Sequence, residues 1–268
     1  MIASNGPLKL HTFANLTNIP NLVHFVTTRA GGFSLPPYDS LNLGLHTADD
    51  PGHVRANRAR LAFETGIDSD KFLYASQVHS GDVKVIDQEA VAAGILTETP
   101  QTDATITNLP GICLMVMVAD CVPILLYDPV KRVCAVIHAG WRGTVQHITT
   151  NTVQVMKTRF SCNPDHILAG IGPSIGPCCY EVGEDVKTVV AERFGTIEGY
   201  LVRKENSPKP FFDLWYANHT QLTRAGLHPD NIETAGLCTQ CHSGTFYSSR
   251  AGKGTTGRFA AGIYMQAV

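Results

Sequence analysis

The sequence predicts a mixed α/β fold of the α+β kind, in one domain spanning residues 1–268. Three observations carry this reading. Short apolar stretches with strand-like patterning cluster in runs, and helices come between them at irregular intervals. That spacing favours a mixed β-sheet over a doubly wound parallel one. No repeat, low-complexity linker or shift of composition divides the 268 residues. With 44% hydrophobic and 16% charged residues, the chain can bury one substantial core.

Taken in order, residues 22–28 (LVHFVTT) read as a strand running into the glycine-marked turn Arg29-Ala30-Gly31-Gly32. Residues 33–50, with Pro36-Pro37 and the run SLNLGLHTADD, read as a long ordered loop. Loops of that length inside a domain are uncommon and often functional. Asp50-Pro51 predicts a helix start, a cap followed by proline, and the helix continues to about Glu64 before Gly66. Strands over 72–78 and 83–86 flank His79-Ser80-Gly81-Asp82, the expected tip of a hairpin. Further strands are expected at 104–107, 112–119, 167–171, 232–237 and 259–265, and helices at 144–160, 184–194 and 212–225.

The central stretch is residues 119–143, ADCVPILLYDPVKRVCAVIHAGWRG. Two apolar strands are joined by Asp128-Pro129-Val130-Lys131, with proline where a type I turn wants it. Centring the hairpin on Pro129-Val130 sets Asp128 against Lys131 and Cys121 against His138. Opposed residues on one face lie within about 5 Å, so a thiol and an imidazole would share one side of the sheet. An odd-length loop would slip the register and part them. Pro123 predicts an edge strand or a bulge.

Net charge is −2, which leaves no basic footprint for nucleic acid or an anionic membrane. No run of about 18 apolar residues predicts a membrane span. The opening MIASNGPLKLHTF lacks the pattern of a secretion signal. The eight cysteines are therefore expected to be free thiols or metal ligands in a cytoplasmic protein.

Cys121 and His138 with a third ligand would match catalytic zinc centres, which use three protein ligands and leave a fourth position open. His79, at its glycine-containing tip, is the best third candidate. Asp120 and Asp82 are candidates to orient such ligands. Single Cys and His residues in strands are also common packing residues, and that alternative stands beside the metal. Cys178-Cys179 and Cys238-Thr-Gln-Cys241 are expected to be structural or incidental. A CxxC can be half a zinc site, but no second CxxC accompanies it, and the bare CxxCH haem pattern is out of place in a cytoplasmic chain. Arg29, Arg142, Arg250 and Arg258 each lie beside Gly or Ser, or one residue from it, in turn-like contexts. If the fold brings some of them together, they would make an anion site.

The runs TTRAGG, SLNLGLH, QVHSGDV, MVADCVPILLYD, VIHAGWRGT, GIGPSIGPCCYEVG, LCT and TGRF together resemble the YfiH/LACC1 family. Its members are described as polyphenol oxidases or laccase-domain proteins, purine nucleoside phosphorylases and peptidoglycan editing factors. The segment FYSSR departs from the family pattern, with Ser249 where a Tyr is frequent. The resemblance implies a three-layer sandwich and one zinc held by His79, Cys121 and His138. It also implies phosphorolysis of adenosine, inosine and 5′-methylthioadenosine, with adenosine deamination as a further activity. On that reading purine nucleosides and phosphate are the partners. Arg29 and Arg142 are candidates for the anion site, and Asn42 for a substrate contact. Asp120 is the candidate acid or base beside Cys121 and His138, with Asp103 weaker. Loop capping is an equal alternative for Asn42 and Asp103.

Three other readings use the same residues. Cys121 activated by His138 would be the nucleophile of a hydrolase or amidase acting on peptidoglycan precursors. A copper phenol oxidase would use the Cys-His-His set for Cu2+, although the 11 histidines include no His-x-His pair. A non-catalytic module would use zinc only to knit loops together.

Overall fold

The computed structural model describes residues 2–3, 8–95, 97–205 and 207–267. The opening stretch 1–13 thus lies partly outside the described residues. The first strands are β1 (Ile2–Ala3), β2 (Leu10–His11), β3 (Leu22–Thr27), β4 (Phe72–Tyr74), β5 (Val83–Val85), β6 (Ala104–Thr107) and β7 (Cys113–Val118). The rest are β8 (Val122–Asp128), β9 (Val133–Ala139), β10 (Leu168–Ile171), β11 (Leu201–Val202), β12 (Phe211–Phe212), β13 (Ile232–Thr234) and β14 (Phe259–Met265). The helices are α1 (Pro51–Thr65), α2 (Gln88–Ala92), α3 (Trp141–Val145), α4 (Ile148–Phe160), α5 (Glu184–Phe194) and α6 (Leu214–Arg224).

The strands divide between two six-stranded sheets and a small ribbon, β11-β12. The first sheet has the order β1-β2-β3-β14-β7-β4, and the second β13-β10-β8-β9-β6-β5. Both are mixed, as expected: β4–β7 in the first and β10–β13 and β5–β6 in the second pair in parallel. The second sheet is the middle layer. Alternation along its strands sends Ile124, Leu126, Ala135 and Ile137 to the α3–α6 side. Leu125, Tyr127, Cys134 and Val136 go to the first sheet. A sheet covered on both faces needs apolar residues at every position, and all of β8 and β9 is buried. That is why the central stretch reads as unbroken apolar runs.

Helix α1 covers the far face of the first sheet, where Leu61 and Ala62 meet Phe25, Leu41, Leu43 and Met115. Its ends follow the sequence reading. Asp50 caps the Gly52 N–H at 2.6 Å, Pro51 opens the helix, and Gly66 closes it at φ 67°. The loop before α1 is ordered by two fully buried amides. Asn57 accepts the Phe33 N–H and donates to Ser34 Oγ and to the carbonyls of Ser40 and Asn42. Asn42 accepts from the Gly44 and Arg258 N–H groups and donates to Thr47 and Asp49.

Four local expectations are corrected. The hairpin loop has four residues, 129–132, so Asp128 pairs with Val133 and His138 with Pro123. A shift of two residues keeps every side chain on its face, because the strand period is two. Pro123 sits in an interior strand, at its second residue. The β8–β10 ladder begins only at Ile124, so the missing N–H disturbs no bond there. Strands β4 and β5 lie in different sheets, so His79 sits on a crossover between sheets and not on a hairpin tip. The helix expected over 144–160 is two, broken at Gln146 and His147, where His147 takes φ 61°.

Gly170 in β10 is held to glycine by packing. A Cβ there would lie 2.4 Å from the fully buried Phe13 ring. Gly170→Ala is expected to cost about 1–3 kcal/mol through overpacking. A thermal melt should show a fall of several degrees in Tm, and an unchanged Tm would show that the ring moves aside.

Candidate metal centre

Four adjacent strands of the second sheet, β8-β9-β6-β5, end on one edge. His79 lies on the crossover before β5, Asp103 before β6, His138 near the end of β9 and Cys121 before β8. The ligating atoms of His79, Cys121 and His138 lie within 4.8 Å of one another. His79 Nε2 is 3.9 Å from Cys121 Sγ, and the two imidazole rings meet edge to face at 4.8 Å. Gly140 makes room for this. A Cβ there would lie 3.0 Å from Cys121 Sγ and 3.1 Å from the His79 ring.

Asp103 holds two of the three donors in place. It is fully buried and stands across from His138 in the β6–β9 pairing. The main chains are joined there by the His138 N–H and the Asp103 carbonyl at 2.7 Å. The carboxylate takes His138 Nδ1 at 2.7 Å, which leaves Nε2 as the free donor atom of the ring. It also accepts the N–H groups of Val78, His79 and Ser80 at 3.1, 3.0 and 2.7 Å, and the Ser80 hydroxyl. Three consecutive N–H groups converge on one anion only if the chain turns through the left-handed region, and His79 takes φ 62°. The strain in a non-glycine residue is about 1–2 kcal/mol, offset by charge-assisted bonds.

Electrostatics follow from burial and neighbours. Burial pushes the Asp103 carboxyl up, but the bonds from His138 and Ser80, the charge of His138 and the His79 N–H together bring it down to about 2. Burial likewise opposes ionisation of Cys121. The charge of His138 and the bonds from His138 and His79 outweigh it and lower the thiol to about 6. Burial disfavours the His138 imidazolium, yet Cys121 and Asp103 raise it to about 9. The neighbours thus favour the Cys121 thiolate, the form that binds metal. Two histidines, one thiolate and an oriented ring suit a zinc ion, or copper, with a position to spare.

The three donors stand at the edge of a cleft of about 860 Å3. Its walls include His46, Gln77, Met117, Tyr180, Arg250 and Arg258, with Asp120, Ser249, Lys253 and Glu98 also exposed to it. The structure thus gathers Arg250 and Arg258 from the four arginines noted in the sequence, and not the expected pair. Arg29 is spent on Asp39, in a 3.1 Å ion pair, and on the Ser243 carbonyl. Arg142 is exposed and lies over the Trp141 ring, outside the cleft. Asn42 is also outside it, with its amide engaged in the loop before α1. Asp120 lines the cleft at φ 93°, but both its oxygens are taken, by Thr239 Oγ1 at 2.6 Å and the Arg250 N–H at 2.7 Å. Asp82 is exposed, and Asp103 does the orienting instead. A carboxylate directly before the wholly buried β6 was the available signal for that role. Lys253 and His46 had none.

The fold and these donors define a mixed α/β protein with a candidate metal centre of three donor side chains on the lip of a cleft. The chain belongs to the family described as multi-copper polyphenol oxidoreductase laccase, whose model matches residues 23–266. It is 34% identical over 266 residues to a protein of Bacteroides thetaiotaomicron named purine nucleoside phosphorylase, covering 98% of each chain. It is 37% identical over 242 residues to purine nucleoside phosphorylase YlmD of Geobacillus stearothermophilus, covering 89% of this chain and 88% of the relative. The crystal structure of YlmD from Geobacillus stearothermophilus superposes with a TM-score of 0.88 at 32% identity, covering 99% of this chain and 98% of that one. Among the described residues no helix is long and apolar enough to cross a membrane.

Asp103 ties acid stability to this centre. A carboxyl lowered from 3.8 to about 2 in the folded state stabilises the fold by about 2 kcal/mol. That contribution is complete above about pH 4 and is lost as pH falls through 2. Asp103→Asn should lower stability at neutral pH, and its deficit against the wild type should narrow between pH 4 and 2. Denaturant melts across that window would read this out, and a deficit independent of pH would refute it.

Proposed function

We propose that this chain is a metal-dependent purine nucleoside phosphorylase. Zinc would be held by His79, Cys121 and His138, with phosphate and a purine nucleoside bound in the adjoining cleft. The observation that carries the reading is the placement of that donor set beside a cleft lined by Arg250, Lys253 and Arg258. The names of the relatives support the reaction class. Adenosine, inosine and 5′-methylthioadenosine are the proposed substrates, with adenosine deamination as a second activity. The site draws on both sheets, which supports one domain over 1–268. Eight unpaired cysteines support a cytoplasmic setting.

In phosphorolysis a phosphate oxygen forms a bond to C1′ of the ribose as the C1′–N9 bond breaks. The electron pair leaves with the purine, which takes up a proton. Arg250, Lys253 and Arg258 would hold the phosphate and neutralise its charge. Arg250 is pre-set for this by its backbone bond to Asp120 and by its guanidinium, which caps the Glu181 carbonyl and lies over Tyr180. On this reading Asp120 acts by positioning Arg250. Met117 and Tyr180 offer apolar surface to a purine ring. A bound zinc ion would supply a Lewis acid and an acidified water, which suits deamination. The chain's own part there is to keep Cys121 ionised and the His138 ring turned outward.

The Cys121–His138 pair favours a second reading. A thiolate beside an imidazolium is also the activated state of a Cys–His hydrolase. Metal stripping separates the two: the hydrolase keeps full activity, and the phosphorylase loses it and recovers with added zinc. A copper phenol oxidase would need oxygen, and the phosphorolysis would proceed without it.

Product analysis with a panel of nucleosides is expected to give ribose 1-phosphate only when phosphate is present. Release of free purine base without any phosphate requirement would end the proposal. Cys121→Ala should fold with wild-type secondary structure and lose phosphorolysis; if it remained folded and fully active, the metal centre would have no catalytic part.

Arg250→Ala should raise the KM for phosphate at least about tenfold, the equivalent of one charge-assisted contact, while Arg142→Ala changes it little. The reverse ranking, in steady-state assays at fixed inosine, would restore the arginine pair expected from sequence.

A further inference from the structure

A second cluster of sulfur ligands lies beyond the far wall of the cleft. The Sγ atoms of Cys178, Cys179, Cys238 and Cys241 all lie within 4.8 Å of one another. Cys241 Sγ is 3.6 Å from Cys178 Sγ and 3.4 Å from Cys179 Sγ. We propose that these four cysteines form a second metal site, a structural zinc centre that locks together the two loops bearing them. The inference is independent of the reaction proposed for the cleft.

The geometry carries it. Four thiolates at about 2.3 Å from a zinc ion stand about 3.8 Å apart along the edges of a tetrahedron, close to the two separations from Cys241 and inside the 4.8 Å that bounds the whole set. One disulfide would need a single pair at about 2 Å and would leave the other two thiols unexplained. Core packing does not account for the cluster either, because Cys178 and Cys241 are exposed. The local backbone suits metal-bound sulfur. The Gly176 N–H donates to Cys238 Sγ at 3.3 Å. The Cys238–Cys241 segment curls through a turn closed by the His242 N–H on the Cys238 carbonyl at 2.9 Å. The Cys179 and Tyr180 N–H groups both return to the Gly176 carbonyl.

This supplies the half-site that the CxxC motif lacked. Cys178 and Cys179 are about 60 residues away in sequence, and a pairing between loops brings them in. Ser174 bridges to Cys238, and the Thr239 N–H bonds the Ser174 carbonyl at 3.0 Å. Binding would replace four S–H protons, released to solvent, with one divalent ion and no change of redox state. The product carries two negative charges. Lys204, whose Nζ donates to the Cys178 carbonyl at 2.5 Å, is placed to offset them. Soft thiolates in a tetrahedral set select zinc over hard cations.

The ion would stiffen the cleft. Thr239, next to Cys238, holds Asp120. Tyr180, next to Cys179, lines the cleft beneath Arg250. The cluster therefore braces the wall that carries the proposed phosphate ligands.

The test is zinc stoichiometry by elemental analysis of full-length protein purified under reducing conditions. His79→Ala combined with Cys121→Ser removes the first centre, and this variant should keep one zinc per chain. Adding Cys178→Ser and Cys241→Ser, both exposed and so tolerated by the fold, should take the count to zero. The proposal is overturned if the first variant retains no zinc, or if the second retains as much as the first. Cobalt(II) loading of the first variant gives a readout that leaves all four clustered cysteines intact. Charge-transfer absorption of four thiolates is expected, and its absence overturns the site. An iron–sulfur spectrum in the purified protein, or the loss of two free thiols to a disulfide without metal, would overturn it as well.

Discussion

The site depends on one buried carboxylate. Asp103 bonds the His138 ring on one side and three successive N–H groups around His79 on the other. It thereby sets the ring orientation of one donor and the backbone path that presents another. A charge at that depth is tolerated only because its lone pairs are filled by donors. The same bonds depress its pKa, so the folded structure and the ionised carboxyl stabilise each other.

The second constraint is the layering. The central sheet is covered on both faces, so its strands have no polar face on which to build a site. Chemistry is displaced to the strand ends, where backbone leaves the sheet and side chains can converge. Four neighbouring strands end on one edge and deliver His79, Asp103, His138 and Cys121 there. The first sheet contributes another wall through Met117 at the end of β7 and Arg258 directly before β14. The cleft is thus a consequence of stacking two sheets whose ends do not close.

The far wall is built differently. It is a pair of loops joined by few regular bonds, and it carries Tyr180 and Arg250. Asp120 and Thr239 tie this wall to the strand that supplies Cys121. Ile175, Val182, Phe246 and Tyr247 anchor these loops in the core, while Cys178 and Cys241 stand exposed between them. Covalent or metal crosslinks are the means by which such segments are held, and a thiolate cluster between these two loops meets that need.

The sequence by itself determined the strands around 104–107 and 259–265, the helix at 184–194 and both ends of α1. In each case neighbouring residues act through period, cap or breaker. It also determined which of Cys121 and His138 share a face, because the two-residue error in the hairpin leaves a two-residue period unchanged. Tertiary structure alone decided that β4 and β5 belong to different sheets. It decided too that Arg250 and Arg258, and not Arg29 and Arg142, reach the cleft, and that Cys178 and Cys179 meet Cys238 and Cys241. Asn42 and Asn57 likewise read as loop and helix residues until the fold buries them. The physical reason is range. Periodicity and capping are written within a few residues, whereas partners tens or hundreds of residues apart are selected by how two sheets stack and where their loops land.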